Sequence, residues 1–207
     1  MSLRGVLGFG VLARGRSVWI WGPRDVLRVD ARTDRVAQRI RVGDAHGELR
    51  GLAVRRGELI VAAADGRLIR FDARTGRRAG SVSVPLSAPA MRATLGRRLV
   101  LSSHGTVAAV NPRTGRLAWR RRLGFRAGAV VRAHGLLWVQ SAARDDPGDR
   151  VTALEPATGE VRATALLPAF GTTGMVRQGG RLWLATAGGR LLAVRLAPAL
   201  AREVRIP

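Results

Sequence analysis

Residues 105–124 read GTVAAVNPRTGRLAWRRRLG. A run of small and β-branched residues enters an Asn–Pro–Arg–Thr–Gly turn, and Trp119 with three arginines leaves it. Asn or Asp heading such a turn accepts hydrogen bonds from the backbone just downstream, and Gly takes the positive φ that closes the hairpin. The turn recurs as DARTD at 30–34, DARTG at 72–76 and EPATG at 155–159. Thr33, Thr75, Thr114 and Thr158 stand 42, 39 and 44 residues apart. A second marker precedes each turn, a Gly followed by a β-rich run: GRSVWIW (15–21), GELIVAA (57–63), GRRLVLS (96–102), GLLWVQS (135–141) and, in a fifth copy, GRLWLAT (180–186). From marker Gly to turn is 15 residues in the first three copies and 20 in the fourth, where RDDPGD is inserted. In the fifth copy the turn has decayed to RLAPA.

Each copy reads as four short strands. In the second, LRGLAV, ELIVAAA, GRLIRFD and GRRAGSVSVP are separated by Arg–Gly, Asp–Gly and Thr–Gly turns. Runs of Val, Ile, Leu and Trp bounded by such pairs are hairpin signals, and no segment carries a helical period. Four antiparallel strands repeated about every forty residues mark a β-propeller blade. The expected fold is all-β, a single propeller domain over 1–207 with five visible four-stranded blades at about 8–43, 50–85, 89–124, 128–168 and 173–206. Each blade begins with its inner strand. Five blades closing unaided and five blades of a larger ring both fit this order.

The opening stretch resembles pyrroloquinoline-quinone-like propeller repeats, whose hallmark is a small-residue strand, Asp-x-x-Thr-Gly and then Trp. DVLRVDARTDRVAQRIRVG at 25–43 is similar to the YVTN-type repeat of bacterial surface and periplasmic propellers. The similarity runs from residue 8 to 206. The hallmark Trp occurs only at Trp119; Gln38, Gly80 and Arg162 stand near that place elsewhere. The resemblance implies an extracytoplasmic binding module of the sensor, lipoprotein or scaffold kind, with a protein or small polar ligand on its loop face.

Composition adds a charge problem. All 36 basic residues are arginine, against 14 acids, for a net charge of +22. Such a surplus attracts polyanions in a salt-dependent way. There is no Cys, so disulfides and thiolate metal sites are excluded. No apolar stretch is long enough to span a membrane as a helix. The start, MSLRGVLGFGVLARG, has the outline of a short signal peptide, yet its glycines and the return of Arg14 and Arg16 favour a first β-strand.

Propeller topology sorts side chains onto two faces. Loops between second and third strands, with the blade-to-blade connections, form the usual ligand face. It gathers Asp25, Asp44, His46, Glu48, Asp65, His104, Asp145, Asp146 and Asp149 as contact candidates. The first-to-second and third-to-fourth turns form the other face, whose candidates for an anionic surface or polymer are Arg32, Arg55, Arg74, Arg97 and Arg113. Outer-strand arginines, Arg120 to Arg122 among them, read as guards of exposed sheet edges. Sequence-specific nucleic-acid binding is not expected, because the chain has no Tyr and most Trp fall in second strands as core.

The inventory for catalysis is thin, and no catalytic residue, cofactor or metal is assigned. Three histidines are present, no serine sits in a nucleophile elbow, and the aspartates of the 144–150 insertion lack EF-hand spacing. Streptogramin-inactivating lyases are propellers of similar repeat type that use histidine and glutamate with a metal. His46 and Glu48 match them in residue type but not in surrounding sequence. The expected function is a non-enzymatic interaction module. The alternatives are a propeller lyase or quinoprotein-like enzyme working on the loop face, and polyanion binding through the basic face.

Overall fold

Apolar β-branched runs closed by glycine turns fold as successive antiparallel hairpins. The computed structural model describes residues 10–43, 46–142, 148–167 and 171–195. The first sheet holds β1 (Gly10–Arg14), β2 (Ser17–Trp21), β3 (Asp25–Asp30) and β4 (Arg35–Arg41) in chain order. The second holds β5 (Leu49–Arg55), β6 (Glu58–Ala63), β7 (Arg67–Asp72) and β8 (Arg78–Ser83). The third holds β9 (Ala90–Leu95), β10 (Arg98–Ser103), β11 (Thr106–Val110) and β12 (Leu117–Arg122). The fourth holds β13 (Arg126–Ala133), β14 (Leu136–Ala142), β15 (Arg150–Leu154) and β16 (Val161–Leu166). The fifth shows β17 (Thr172–Gln178), β18 (Arg181–Thr186) and β19 (Leu191–Arg195); the place of a fourth strand lies outside the described residues. These are all-β propeller blades.

Burial follows strand position. Every residue of β11 is buried, as is all of β6 after Glu58, so both faces of these inner-sheet strands are covered. The last strands β4, β8 and β16 are mostly exposed or half-buried, as edge strands carrying charge should be.

The chain packs as two compact units. One comprises 1–99 and 110–117, the other 100–109 and 118–207. In the first, β1 lies beside β5 and β5 beside β9, so first strands of successive sheets are neighbours. Its core joins Trp19, Ile40, Leu59, Val61, Ile69 and Phe71. In the second, β13 lies beside β17. Its core joins Leu136, Trp138, Val151, Met175, Leu182 and Leu184. Trp19 and Trp138, both on second strands, are core residues as expected.

The repeated turn is held by its own side chains. Asp30 Oδ1 accepts from the backbone N–H of Arg32 at 2.8 Å and of Thr33 at 3.2 Å. Asp72 Oδ1 accepts from the N–H groups of Arg74 (3.0 Å) and Thr75 (2.6 Å) and from the Thr75 hydroxyl (2.8 Å). Asn111 Oδ1 takes the N–H of Arg113 at 2.9 Å. The closing residue returns its N–H to the turn's first carbonyl, as from Gly76 to Asp72 at 2.8 Å and Gly159 to Glu155 at 2.7 Å. Asp34, in the place of that glycine, adopts φ 53°. Aspartate tolerates this left-handed conformation better than most residues.

These bonds make the turns pH-dependent. Backbone donors, led by Arg32 N–H for Asp30 and Thr75 N–H for Asp72, hold both carboxyls below their ordinary value. Their contribution is complete above the unfolded carboxylate value, about pH 4, and fades as pH falls through the lowered folded values. The double variant Asp30→Asn/Asp72→Asn keeps an acceptor oxygen without the charge, as Asn111 does. Its urea midpoint is expected to fall less steeply between about pH 4 and pH 2 than that of the parent.

Candidate functional site

Antiparallel order places the first-to-second and third-to-fourth turns at the same end of each sheet. Hydrogen bonds tie them there: Ala31 N–H to Arg16 O at 2.9 Å, and Ala73 N–H to Gly57 O at 2.7 Å. Arginines on these turns therefore project from one end of each blade. In the first unit, one such turn of the second sheet and two of the third enclose a cleft of about 260 Å³. Its lining is Arg55, Arg56, Glu58, Arg97, Asn111, Pro112 and Arg113. Of the five basic candidates, Arg55, Arg97 and Arg113 come together here. Arg32 and Arg74 stay on their own turns, outside the lining.

Local backbone chemistry positions each group. Arg56 and Gly57 both take positive φ, 46° and 76°, which is the two-residue hairpin turn that matches strand twist. That turn aims Arg55 and Arg56 from the ends of β5 and β6. Arg113 is set by the Asn111 turn, and its Nη2 donates to Glu58 Oε1 at 2.9 Å. Arg70 Nη1 approaches the same carboxylate oxygen at 3.5 Å. Glu58 is thus shared by two arginines, and the lining keeps three positive charges in excess.

Arg55 carries the strain of this crowding. Burial pushes its guanidinium below the ordinary value, and Arg56, Arg113 and Arg97 add repulsion that Glu58 opposes. Its Nη1 is buried with no hydrogen-bond partner. An unmet charged donor at a desolvated position is costly until an acceptor arrives.

Beside the cleft, successive blades meet through a side chain that differs from junction to junction. Five residues past the turn threonine stand Gln38, Gly80 and Trp119. Gln38 Nε2 donates to Arg74 O of the next turn at 3.3 Å, and Gly76 there is so close that a Cβ would sit 2.6 Å from Nε2. Trp119, 7% exposed, donates Nε1–H to Pro156 O at 2.9 Å and lies flat on Gly159, where a Cβ would come within 2.4 Å of the ring. Each side chain clasps the following blade's turn. Gly80 has none to offer; the Arg70 guanidinium covers it, 3.0 Å from where a Cβ would be. Arg70 pairs in register with Gly80 as Arg28 does with Gln38. Arg28 reaches the next turn, donating to Ala73 O at 3.1 Å. Arg70 instead ion-pairs with Glu58. Sequence reading recorded Gly80 as a departure from the Trp hallmark but did not foresee Glu58 and Arg70.

The loop-end candidates meet different fates. His46 Nδ1 and Asp65 Oδ2 lie 2.7 Å apart. Asp65 also accepts from Arg67 N–H at 3.0 Å, so it serves its own turn. Glu48, exposed, faces Arg50 at 4.0 Å. Asp25 is half-buried at the start of β3, with Oδ1 unpartnered. His104 takes φ 40° ahead of Gly105 at 76°, the same two-residue turn as Arg56–Gly57. Asp44, Asp145 and Asp146 lie outside the described residues.

Asp149 is 2% exposed and belongs to the framework of the second unit. Its Oδ2 accepts from Thr172 N–H at 2.5 Å and from the Thr172 hydroxyl. Gln140 Nε2 donates to that hydroxyl in turn at 2.5 Å, and Gln140 Oε1 takes Ala129 N–H at 3.2 Å beside a bulge in β13. Arg121, expected as an edge guard, donates Nε–H to Gly159 O at 2.9 Å and helps Trp119 hold the next turn.

Residues 103–197 match the family model described as outer membrane protein assembly factor BamB. Among solved structures, BamB from Moraxella catarrhalis is similar over 94% of this chain and 59% of its own, at 24% identity and TM-score 0.69. The Pan2 WD40 domain of Neurospora crassa is similar over 91% and 61%, at 15% identity and TM-score 0.69. A structure of the mitotic checkpoint complex gives 91% and 61%, at 14% identity and TM-score 0.71. The chain spans about three fifths of the length of these structures. No curated protein matches it. Identities this low speak for the β-propeller fold alone, and the family match adds a likeness to pyrroloquinoline-quinone-like repeats over residues 103–197.

Proposed function

We propose that the chain is a non-enzymatic protein-interaction module. The observation that carries this reading is the convergence of turn arginines on an open cleft, with a buried guanidinium donor still lacking an acceptor. Turn hydrogen bonds such as Arg113 N–H to Asn111 Oδ1 and Gly115 N–H to Asn111 O already order the backbone that carries these groups, so the turns need not fold when a partner arrives. The matched family is described as an assembly factor, and one structural likeness is a multiprotein complex; both support a role in assembly. Among the charged loop-end residues, Asp65 and Asp149 hold turns and blades together, which favours binding over catalysis.

The test is recovery of the full-length protein from its source cells after mild cross-linking, followed by gel filtration and mass spectrometry. A polypeptide co-eluting with it in constant ratio across loads is the expected result. Elution of the chain alone at every load would overturn the reading. Polyanion binding is a second reading, favoured by the net charge of +22. It predicts association with any polyanion and a log affinity that falls linearly with log salt, whatever the sequence of the anion.

A further inference from the structure

The geometry points to a specific ligand chemistry: we infer that the cleft of Arg55, Arg56, Arg97 and Arg113 receives a carboxylate from an acidic segment of a partner polypeptide. The inference rests on the interaction-module reading and names the chemistry of its contact.

Three observations and one general property of arginine support it. Glu58 is already a carboxylate seated at the cleft, held by Arg113 at 2.9 Å and Arg70 at 3.5 Å, so the site accommodates this group. The remaining guanidinium charge has room for another, and Arg55 Nη1 is a buried donor awaiting an acceptor. Arginine forks bind carboxylates through paired N–H donors, which gives geometry as well as energy. At about 260 Å³ the cleft is smaller than the roughly 300–1,000 Å³ of cofactor and drug pockets, and suits one or two side chains.

The lining also disfavours nucleic acid. Strands of bases are held by aromatic stacking alongside phosphate contacts. The cleft is lined by arginine, glutamate, asparagine and proline, with no aromatic side chain. Asn111 and Arg113, exposed residues of their turn, present their side chains to the cleft.

The experiment is fluorescence anisotropy of a labelled peptide with six glutamates, at about 0.15 M salt where long-range attraction is screened. The cleft variant Arg55→Ala/Arg97→Ala/Arg113→Ala is compared with Arg39→Ala/Arg41→Ala/Arg120→Ala, which removes the same charge from outer strands. The cleft variant is expected to bind about tenfold or more weakly, and the outer-strand variant within about twofold of the parent. Equal losses would assign the binding to overall charge and overturn the proposal, as would no loss in the cleft variant. Glu58→Gln removes the resident carboxylate and frees Arg113, so it is expected to tighten binding about threefold. Weaker binding by this variant would also overturn the proposal, and it covers the case where the triple variant does not fold. A single-stranded thymidine hexamer is the competitor; if it displaces the peptide at equal concentration, the ligand is a phosphate and the carboxylate assignment fails. Persistence of a co-purifying partner in the cleft variant would leave the interaction module standing and remove only its assignment to this cleft.

Discussion

Truncating Trp119 to alanine is expected to lower stability by about 3–5 kcal/mol, read as a fall in the urea midpoint with an unchanged slope. The indole is 7% exposed and lies against Gly159, whose lack of a side chain is what admits it. Alanine empties that space, and backbone held at φ 71° on the far side has little freedom to collapse into it. A second loss is polar, because Pro156 O gives up the indole N–H at 2.9 Å. Trp119→Phe separates the two. It keeps most of the ring and is expected to cost about 1 kcal/mol, the usual net worth of one hydrogen bond. Equal costs for the two variants would show that the hydrogen bond, not the packing, secures this junction.

Asp149→Ala is expected to cost about 3 kcal/mol. The carboxylate oxygen gathers two donors from Thr172, and Gln140 completes the relay by donating to the same hydroxyl. With the carboxylate gone, the Thr172 N–H is left buried and unmet, and hydrogen bonds to charged acceptors are the stronger kind. Thr172→Val should lose less, since the backbone donor still reaches Asp149. In a double-mutant cycle the pair is expected to couple by about 1–2 kcal/mol. Additive losses would mean that the two residues support the fourth and fifth blades independently.

What the residues revealed in advance and what they hid divide by distance along the chain. The turns were legible because their bonds are local: Asp72 reaches N–H groups two and three residues on. Spacing of the turn threonines then fixed the blades without any knowledge of packing. The cleft was only half legible. Topology sent Arg55, Arg97 and Arg113 to the same end, but Arg113 is drawn in by Glu58, a partner 55 positions away. Asp149 misled for the same reason. It belongs to an insertion, reads as a surface acid, and finds its partner 23 residues later in another sheet.

Gly80 makes the junction of the second and third blades chemically different from its neighbours. Gln38 and Trp119 hold the following turn through a side-chain N–H, whereas β8 meets its following turn through backbone, with Gly115 so close that a Cβ would sit 2.1 Å from Ser83 O. Backbone contact of this kind admits no Cβ, so Gly115 is required by its neighbour as well as by its φ of 71°.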